Sequence, residues 1–271
     1  MIKILGSYGN RGKNAFTTSF LLREDVVIDA GNLANGLGKD VTKLNHIFLT
    51  HSHFDHILDI PFVIDTNFIK RVESLKIYGL KDTISSVKNL FNNKIWPDFT
   101  KIALLNGKPA IKFIEIKEKQ VIELNELSIE PINSNHSVPT LGYKITKNGN
   151  SIIITGDTYA NPNLIEEIKN TPNLKAILME VSFPSKFDEL AKVSKHLTPK
   201  LIKNMLSNMK LPELFFYHFK LEFKTEIVKE LEELNLKHTI LEDGMIIYPF
   251  QDEKPTIHNS QNDLKKLLKI G

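Results

Sequence analysis

The sequence predicts an α/β protein, and three observations predict it. Short β-branched apolar runs recur along the chain, such as Val26-Val27-Ile28, Ile152-Ile153-Ile154 and Leu214-Phe215-Phe216. Runs of that length bounded by polar residues or glycine read as buried strands. From Pro162 onward, helical and strand-like segments alternate, the order from which βα units are built. Between two alternating segments lies Asn148-Gly149-Asn150, a strong hairpin signal, so antiparallel pairing is mixed with parallel.

The elements follow in order. Residues 2–5 and 16–22 read as the arms of an opening hairpin joined by Gly6-Ser7-Tyr8-Gly9-Asn10-Arg11-Gly12. No Gly-Lys-Ser/Thr follows those glycines, so a plain loop is favoured over a phosphate cradle. Strands are expected at 26–30 and 46–50, with a short helical segment at Val41–Leu44. A helix over Ile57–Phe68 should be interrupted near Pro61. Leu75–Tyr78 is strand-like. Asp82–Phe91 is helix-like, with Asp82 or Thr83 as its cap. Ile111–Ile116, Gln120–Leu124 and Leu127–Ile132 alternate like antiparallel strands. Tyr143–Lys147 and Ser151–Thr155 form the hairpin. Helices are expected at Leu164–Lys169, Phe187–Lys192, Thr198–Met209 (opened by Thr-Pro) and Thr225–Leu234. Strands are expected at Ala176–Glu180, Leu214–His218, His238–Leu241 and Met245–Pro249.

Composition narrows the class. The chain has 271 residues, 41% hydrophobic and 25% charged, ordinary for a globular domain with a substantial core. Residues 1–250 are expected to form one domain and 251–271 a tail with a short helix. The net charge of +3 suits an anionic substrate and falls far short of a polybasic nucleic-acid surface. Cysteine is absent, so neither a disulfide nor a thiolate metal site can form. No apolar run approaches the ~20 residues of a membrane span, and the first residues lack a signal-like h-region. The expectation is a cytoplasmic protein with no membrane contact.

One stretch carries the chemistry. The apolar run at Ile47 ends in Thr50-His51-Ser52-His53-Phe54-Asp55-His56. Imidazole and carboxylate donors without thiolate suit Zn²⁺ or a similar first-row divalent ion. Three protein ligands plus water is typical of one open site, so His51, His53, Asp55 and His56 together suggest two ions sharing a cleft. Asp29, at the end of a neighbouring apolar run, can orient a ligand. Three further strand ends offer candidates: His136 after 127–132, Asp157 in Gly156-Asp157-Thr158, and His218 after Phe215-Phe216-Tyr217. His46, His238 and His258 have no such context and read as structural.

The Thr50–His56 stretch and Gly156-Asp157-Thr158 resemble the signature and bridging-aspartate motifs of the metallo-β-lactamase fold superfamily. More narrowly, the chain resembles the class II 3′,5′-cyclic-nucleotide phosphodiesterases. Asp29-Ala30-Gly31, His51 through Phe62, His136 through Tyr143, Glu180-Val181-Ser182-Phe183-Pro184 and His196-Leu197-Thr198-Pro199 carry that resemblance. Two departures are Phe54, where that family usually shows Leu, and Lys195, where Gly is expected before His196. The second places a cation beside the site.

The resemblance implies a four-layer αββα sandwich. His51, His53 and His136 would hold one ion, Asp55, His56 and His218 a second, and Asp157 would bridge them. The ions would be zinc, with Mn²⁺ or Fe²⁺ as alternatives, and a metal-bridging hydroxide would open cAMP or cGMP to the 5′-monophosphate. Glu180 would orient His196, which would stabilise charge or protonate the leaving 3′ oxygen, with Asp55 sharing the proton transfer. A homodimer is also implied.

The rival within the superfamily is a ribonuclease Z-type tRNA 3′-endonuclease. Those nucleases usually carry a long basic arm between the motifs around His136 and Asp157, where this chain has a tight hairpin. Nucleic acid is therefore not the expected partner. A β-lactam or thioester hydrolase fits the Glu180 and His196 elements less well, and a non-catalytic regulator would not need the full ligand set.

Overall fold

Alternation along each strand decides which layer a residue joins, because successive side chains point to opposite faces. A computed structural model describes residues 1–250 apart from Asn67 and Asn208, together with the backbone of Ile257 and His258. One sheet contains β1 (Ile2–Gly6), β2 (Ser19–Arg23), β3 (Val26–Ile28), β4 (His46–Phe48), β5 (Leu75–Gly79) and β6 (Ile111–Glu115). The second contains β7 (Ile122–Leu124), β8 (Leu127–Ser134), β9 (Thr140–Lys147), β10 (Asn150–Ile154), β11 (Leu174–Glu180), β12 (Glu213–Tyr217) and β13 (His238–Ile240). The chain then returns to the first sheet, adding β14 (Ile246–Ile247) beside β1 and β15 (Ile257–His258) beyond it. β3 to β6 run parallel in one sheet and β10 to β13 in the other, with antiparallel neighbours.

Three apolar clusters separate four layers. Val26 and Ile28 face Ile152, Ile154, Leu178, Phe215 and Tyr217 in the core between the sheets. Their sequence neighbours point outward: Val27 joins Ile47, Ile60 and Ile84, while Ile153, Ile177 and Phe216 join Leu164, Ile202 and Ile227. Burial on both faces explains why these strands read as continuous apolar runs. Helices α1 (Ala34–Leu37), α2 (Phe54–Ile57), α3 (Ile60–Asp65) and α4 (Lys81–Lys88) lie in the first-sheet half. Helices α5 (Pro162–Asn170), α6 (Asp188–Ser194), α7 (Pro199–Leu206) and α8 (Lys224–Glu233) belong to the other. The αββα sandwich is thus realised.

Local signals explain most boundaries. The side chain of Asn161 caps α5 and that of Thr198 caps α7, each with proline in the first turn. Asn148 and Gly149 both take positive φ, 51° and 78°, as a two-residue type I′ hairpin requires.

Three expectations are corrected. Helix α4 begins at Lys81 without a side-chain cap, because β5 ends only two residues earlier, and Thr83 is buried rather than capping. The helical break falls at Leu58-Asp59, and Pro61 opens α3. The Asp59 carboxylate there accepts from the amides of Leu33 (2.7 Å) and Ala34 (2.8 Å). β6 is a parallel edge strand beside β5 and not an antiparallel partner of β7. Its half-solvated face produces the alternation that mimics a meander strand. The expected tail helix, and the side chain of His258, lie outside the described residues.

Candidate metal centre

All the motif residues meet at one edge of the sandwich, where the parallel strands of both sheets end. His51 follows β4, His53 stands at the N-terminal boundary of α2 without capping it, and Asp55 and His56 lie in its single turn. His136 lies in the loop between β8 and β9, Asp157 follows β10, Glu180 ends β11, and His218 follows β12. His51, His53, His136 and Asp157 form one group of potential ligands, and Asp55, His56 and His218 a second. The donor atoms within each group lie within 4.8 Å of one another.

Asp157 is the hub. Its Oδ2 lies 3.3 Å from His218 Nε2, 3.4 Å from His56 Nε2, 3.7 Å from His51 Nε2 and 3.9 Å from His136 Nε2. Asp55 Oδ2 faces the second group, 3.4 Å from His218 Nε2 and 3.6 Å from His56 Nε2.

The outer hydrogen bonds determine which nitrogen of each ring points inward with a lone pair. His56 Nδ1–H donates to Asp29 Oδ2 at 2.7 Å, and His136 Nδ1–H donates to the Lys195 carbonyl at 2.9 Å. Thr50 donates its hydroxyl to Asp29 Oδ2 (2.8 Å), leaving its oxygen to accept from His51 Nδ1 at 3.0 Å. In its neutral form, each of these rings then presents the Nε2 lone pair to the cluster. His56 Nε2 stands 3.2 Å from His218 Nε2, and His136 Nε2 stands 3.2 Å from His53 Nδ1.

Burial and the surrounding imidazoles push the pKa of His51 well down, while the three carboxylates around His56 overcome burial and push it well up. His51 Nε2 and Asp157 Oδ1 are buried with no hydrogen-bond partner. Orphaned buried donors and acceptors are expensive, and facing lone pairs repel. Divalent cations remove both penalties, so these residues fit a metal centre.

A second tier adjoins it. Glu180, fully buried, accepts from the backbone amides of Thr158 and Leu197, both at 3.1 Å, and from the Ser182 hydroxyl at 3.1 Å. Its Oε1 lies 3.1 Å from His196 Nδ1. The His196 ring lies 4.9 Å from that of His136 and 5.4 Å from that of His218. Burial lowers the pKa of His196, but Glu180 outweighs it and the net direction is up.

The structure also brings in residues that sequence reading passed over. Ser182 contacts His218 Nδ1 at 3.0 Å. Gly9 abuts the site histidine: a β-carbon there would lie 2.7 Å from the His218 ring. The loop it belongs to is therefore a support for His218 as well as a connector. At Gly31 a β-carbon would meet the Asp55 carbonyl at 2.2 Å. The signal for both was small residues beside acid and histidine motifs, which is legible only once the partner is known. Asp29 (φ 59°), Lys195 (φ 61°) and His218 (φ 69°) hold left-handed backbone around the site, where such strain tends to collect.

Two mixed sheets packed between helices, with this histidine and aspartate cluster at one strand edge, define a protein of the metallo-β-lactamase fold. The metallo-β-lactamase fold protein YhfI from Bacillus subtilis superposes with a TM-score of 0.72 at 20% identity, over 90% of this chain and 97% of that one. Unliganded yeast PDE1 superposes with a TM-score of 0.70 at 19% identity, over 90% and 97%.

Within that class, the chain is related to the class-II cAMP phosphodiesterases, which match residues 39–165. The 3′,5′-cyclic-nucleotide phosphodiesterase 1 of Saccharomyces cerevisiae is 31% identical over 190 residues, 60% of this chain and 50% of the relative. The ribonuclease Z of Pyrococcus abyssi is 38% identical over 109 residues, 39% of this chain and 32% of the relative. The matches span half or less of the length of these curated relatives.

Proposed function

We propose that this chain is a metal-dependent phosphodiesterase that opens a 3′,5′-cyclic nucleotide, cAMP or cGMP, to the nucleoside 5′-monophosphate. The observation carrying this reading is the ring of inward-facing histidine nitrogens around Asp157 Oδ2, set against the Glu180–His196 pair. His51, His53 and His136 would hold one divalent ion, Asp55, His56 and His218 a second, and Asp157 would serve both. Zinc is the expected metal, with Mn²⁺ or Fe²⁺ as alternatives. When bound, such ions polarise a phosphoryl oxygen and bring the pKa of water toward neutrality.

The chain's own residues then divide the work. Asp29 and Thr50 hold His56 and His51 with their lone pairs inward, so the site needs little reorganisation when substrate arrives. Glu180 accepts a hydrogen bond from His196 Nδ1–H, which turns Nε2 toward the reaction space and favours the protonated ring. That ring donates a proton to the 3′ oxygen as the P–O3′ bond breaks. Asp55, kept ionised by His56 and His218 against the effect of burial, accepts the proton released by the attacking water. Opening a ring yields one product, so one donor and one acceptor suffice. In this reading residues 1–250 are the hydrolase domain, acting as a cytoplasmic homodimer on a small substrate.

The second reading is a ribonuclease Z-type endonuclease, favoured by the identity to the Pyrococcus abyssi protein over 109 residues. Against it stands the connection between β9 and β10, only Asn148 and Gly149. Polyanion binding needs many phosphate contacts, and that turn offers none. The test is turnover by purified, metal-loaded protein of cAMP, cGMP and a precursor tRNA. The expected result is conversion of a cyclic nucleotide to its 5′-monophosphate with the tRNA left intact; cleavage of tRNA alone would reverse the choice.

A further inference from the structure

Lys195 holds a conformation that its side chain makes unfavourable. It ends α6 in the left-handed region, φ 61° and ψ 51°, which a β-carbon disfavours and glycine adopts freely. Its backbone has a clear task, since its carbonyl accepts from His136 Nδ1 at 2.9 Å. Any residue, glycine included, could supply that carbonyl. The lysine side chain therefore needs a separate reason.

Its surroundings suggest one. The ammonium bonds Asn135 Oδ1 at 3.1 Å and forms no ion pair among the described residues, whereas Lys186 pairs with Glu226 and Lys200 with Asp188. One neutral acceptor leaves two of its three donors unspent. Asn135 and the neighbouring His136 line a cavity of about 400 Å³ together with Asn133, Ser137, Thr140 and the carboxylate of Glu118, which accepts from Asn133 Nδ2, the size range of small-ligand pockets. The amine thus touches Asn135, one wall of this groove, and its residue directly precedes His196.

We propose that Lys195 is a specificity-determining residue whose ammonium binds the negatively charged, non-bridging oxygen of a phosphodiester that extends into the groove. The proposal rests on the phosphodiesterase reading above and adds a contact that acts on binding. The charge is present on the substrate before and after bond breaking, so the contact lowers KM and leaves kcat nearly unchanged.

The test uses metal-loaded protein, bis(4-nitrophenyl) phosphate, and the variants Lys195→Gly, Lys195→Met and Lys195→Arg, with Lys192→Met as a control for general charge loss on α6. Lys195→Gly should raise Tm by about 2 °C as backbone strain is relieved. KM should rise about 10-fold in Lys195→Gly and Lys195→Met, with kcat within twofold. Lys195→Arg and Lys192→Met should stay near the wild type. KM unchanged in both Gly and Met variants, or raised only in the Gly variant, overturns the role of the amine.

Should wild type leave bis(4-nitrophenyl) phosphate uncut, inorganic phosphate decides the anion site, and the proposed function fails only if cAMP and cGMP are left uncut as well. A larger phosphate-induced Tm shift in wild type than in Lys195→Met sustains it; equal shifts overturn it.

Discussion

The two ends of strand β4 each carry a buried histidine, and they are opposites. At the start of the strand, His46 Nδ1 meets the Tyr78 hydroxyl at 2.9 Å, and the two rings stack. Burial lowers its pKa to about 4, so the ring is neutral and its Nδ1 has a neutral partner. Beyond the other end, His51 and His56 are also buried, more completely, yet they turn nitrogens toward other imidazoles and carboxylates. His51 Nε2 has no hydrogen-bond partner. Burial of a histidine therefore says little about function. What separates the two ends is whether the buried lone pair is answered by a hydrogen bond or left facing a concentration of like groups.

The largest effect should come from removing the hub of the functional end. Asp157→Ala should lose bound metal, read by elemental analysis, and reduce phosphodiester turnover by more than the roughly 10²-fold typical of losing an outer-sphere partner. Full metal content and activity in that variant would show that the convergence of rings on Asp157 is only a packing arrangement.

A smaller effect separates the cluster from the adjoining pair. His196→Ala should lower kcat by about 10²-fold with metal content unchanged. Loss of metal instead would make His196 a ligand, which its place in a third donor group with Asp157 and His218 would allow.

The smallest effect belongs to His46 and concerns stability. Its folded pKa lies below the ordinary value of 6.5, so the unfolded chain takes up the proton first as pH falls. The stability it contributes is complete above about pH 6.5 and is lost as pH drops toward 4, at no more than ~1.4 kcal/mol per pH unit. Melting curves should fall less steeply across that window in His46→Gln than in wild type. Parallel curves would mean that another group controls the acid limb.

The same contrast shows how far the sequence could be read. The α/β class, the hairpin at Asn148-Gly149 and the capped starts of α5 and α7 were legible because each depends on contacts a few residues apart. The cluster His51 to His56 was legible because its donors are contiguous. The partner of β6 was not, since an edge strand with one wetted face alternates just as a meander strand does. Nor was the support given by Gly9 and Ser182 to His218, which joins residues 209 and 36 positions apart.

By itself, then, the sequence determined which chemical groups are present and that each stands at the end of an apolar strand, because strand and turn preferences act locally. Only the tertiary structure decided that those ends share one edge, with the lone pairs directed inward and two of the buried polar atoms unpartnered. The reason is physical. Ring orientation is set by Asp29 and Thr50 within the first-sheet half and by the Lys195 carbonyl within the second, and the two sets of rings face one another only when both sheets have packed on the core between them.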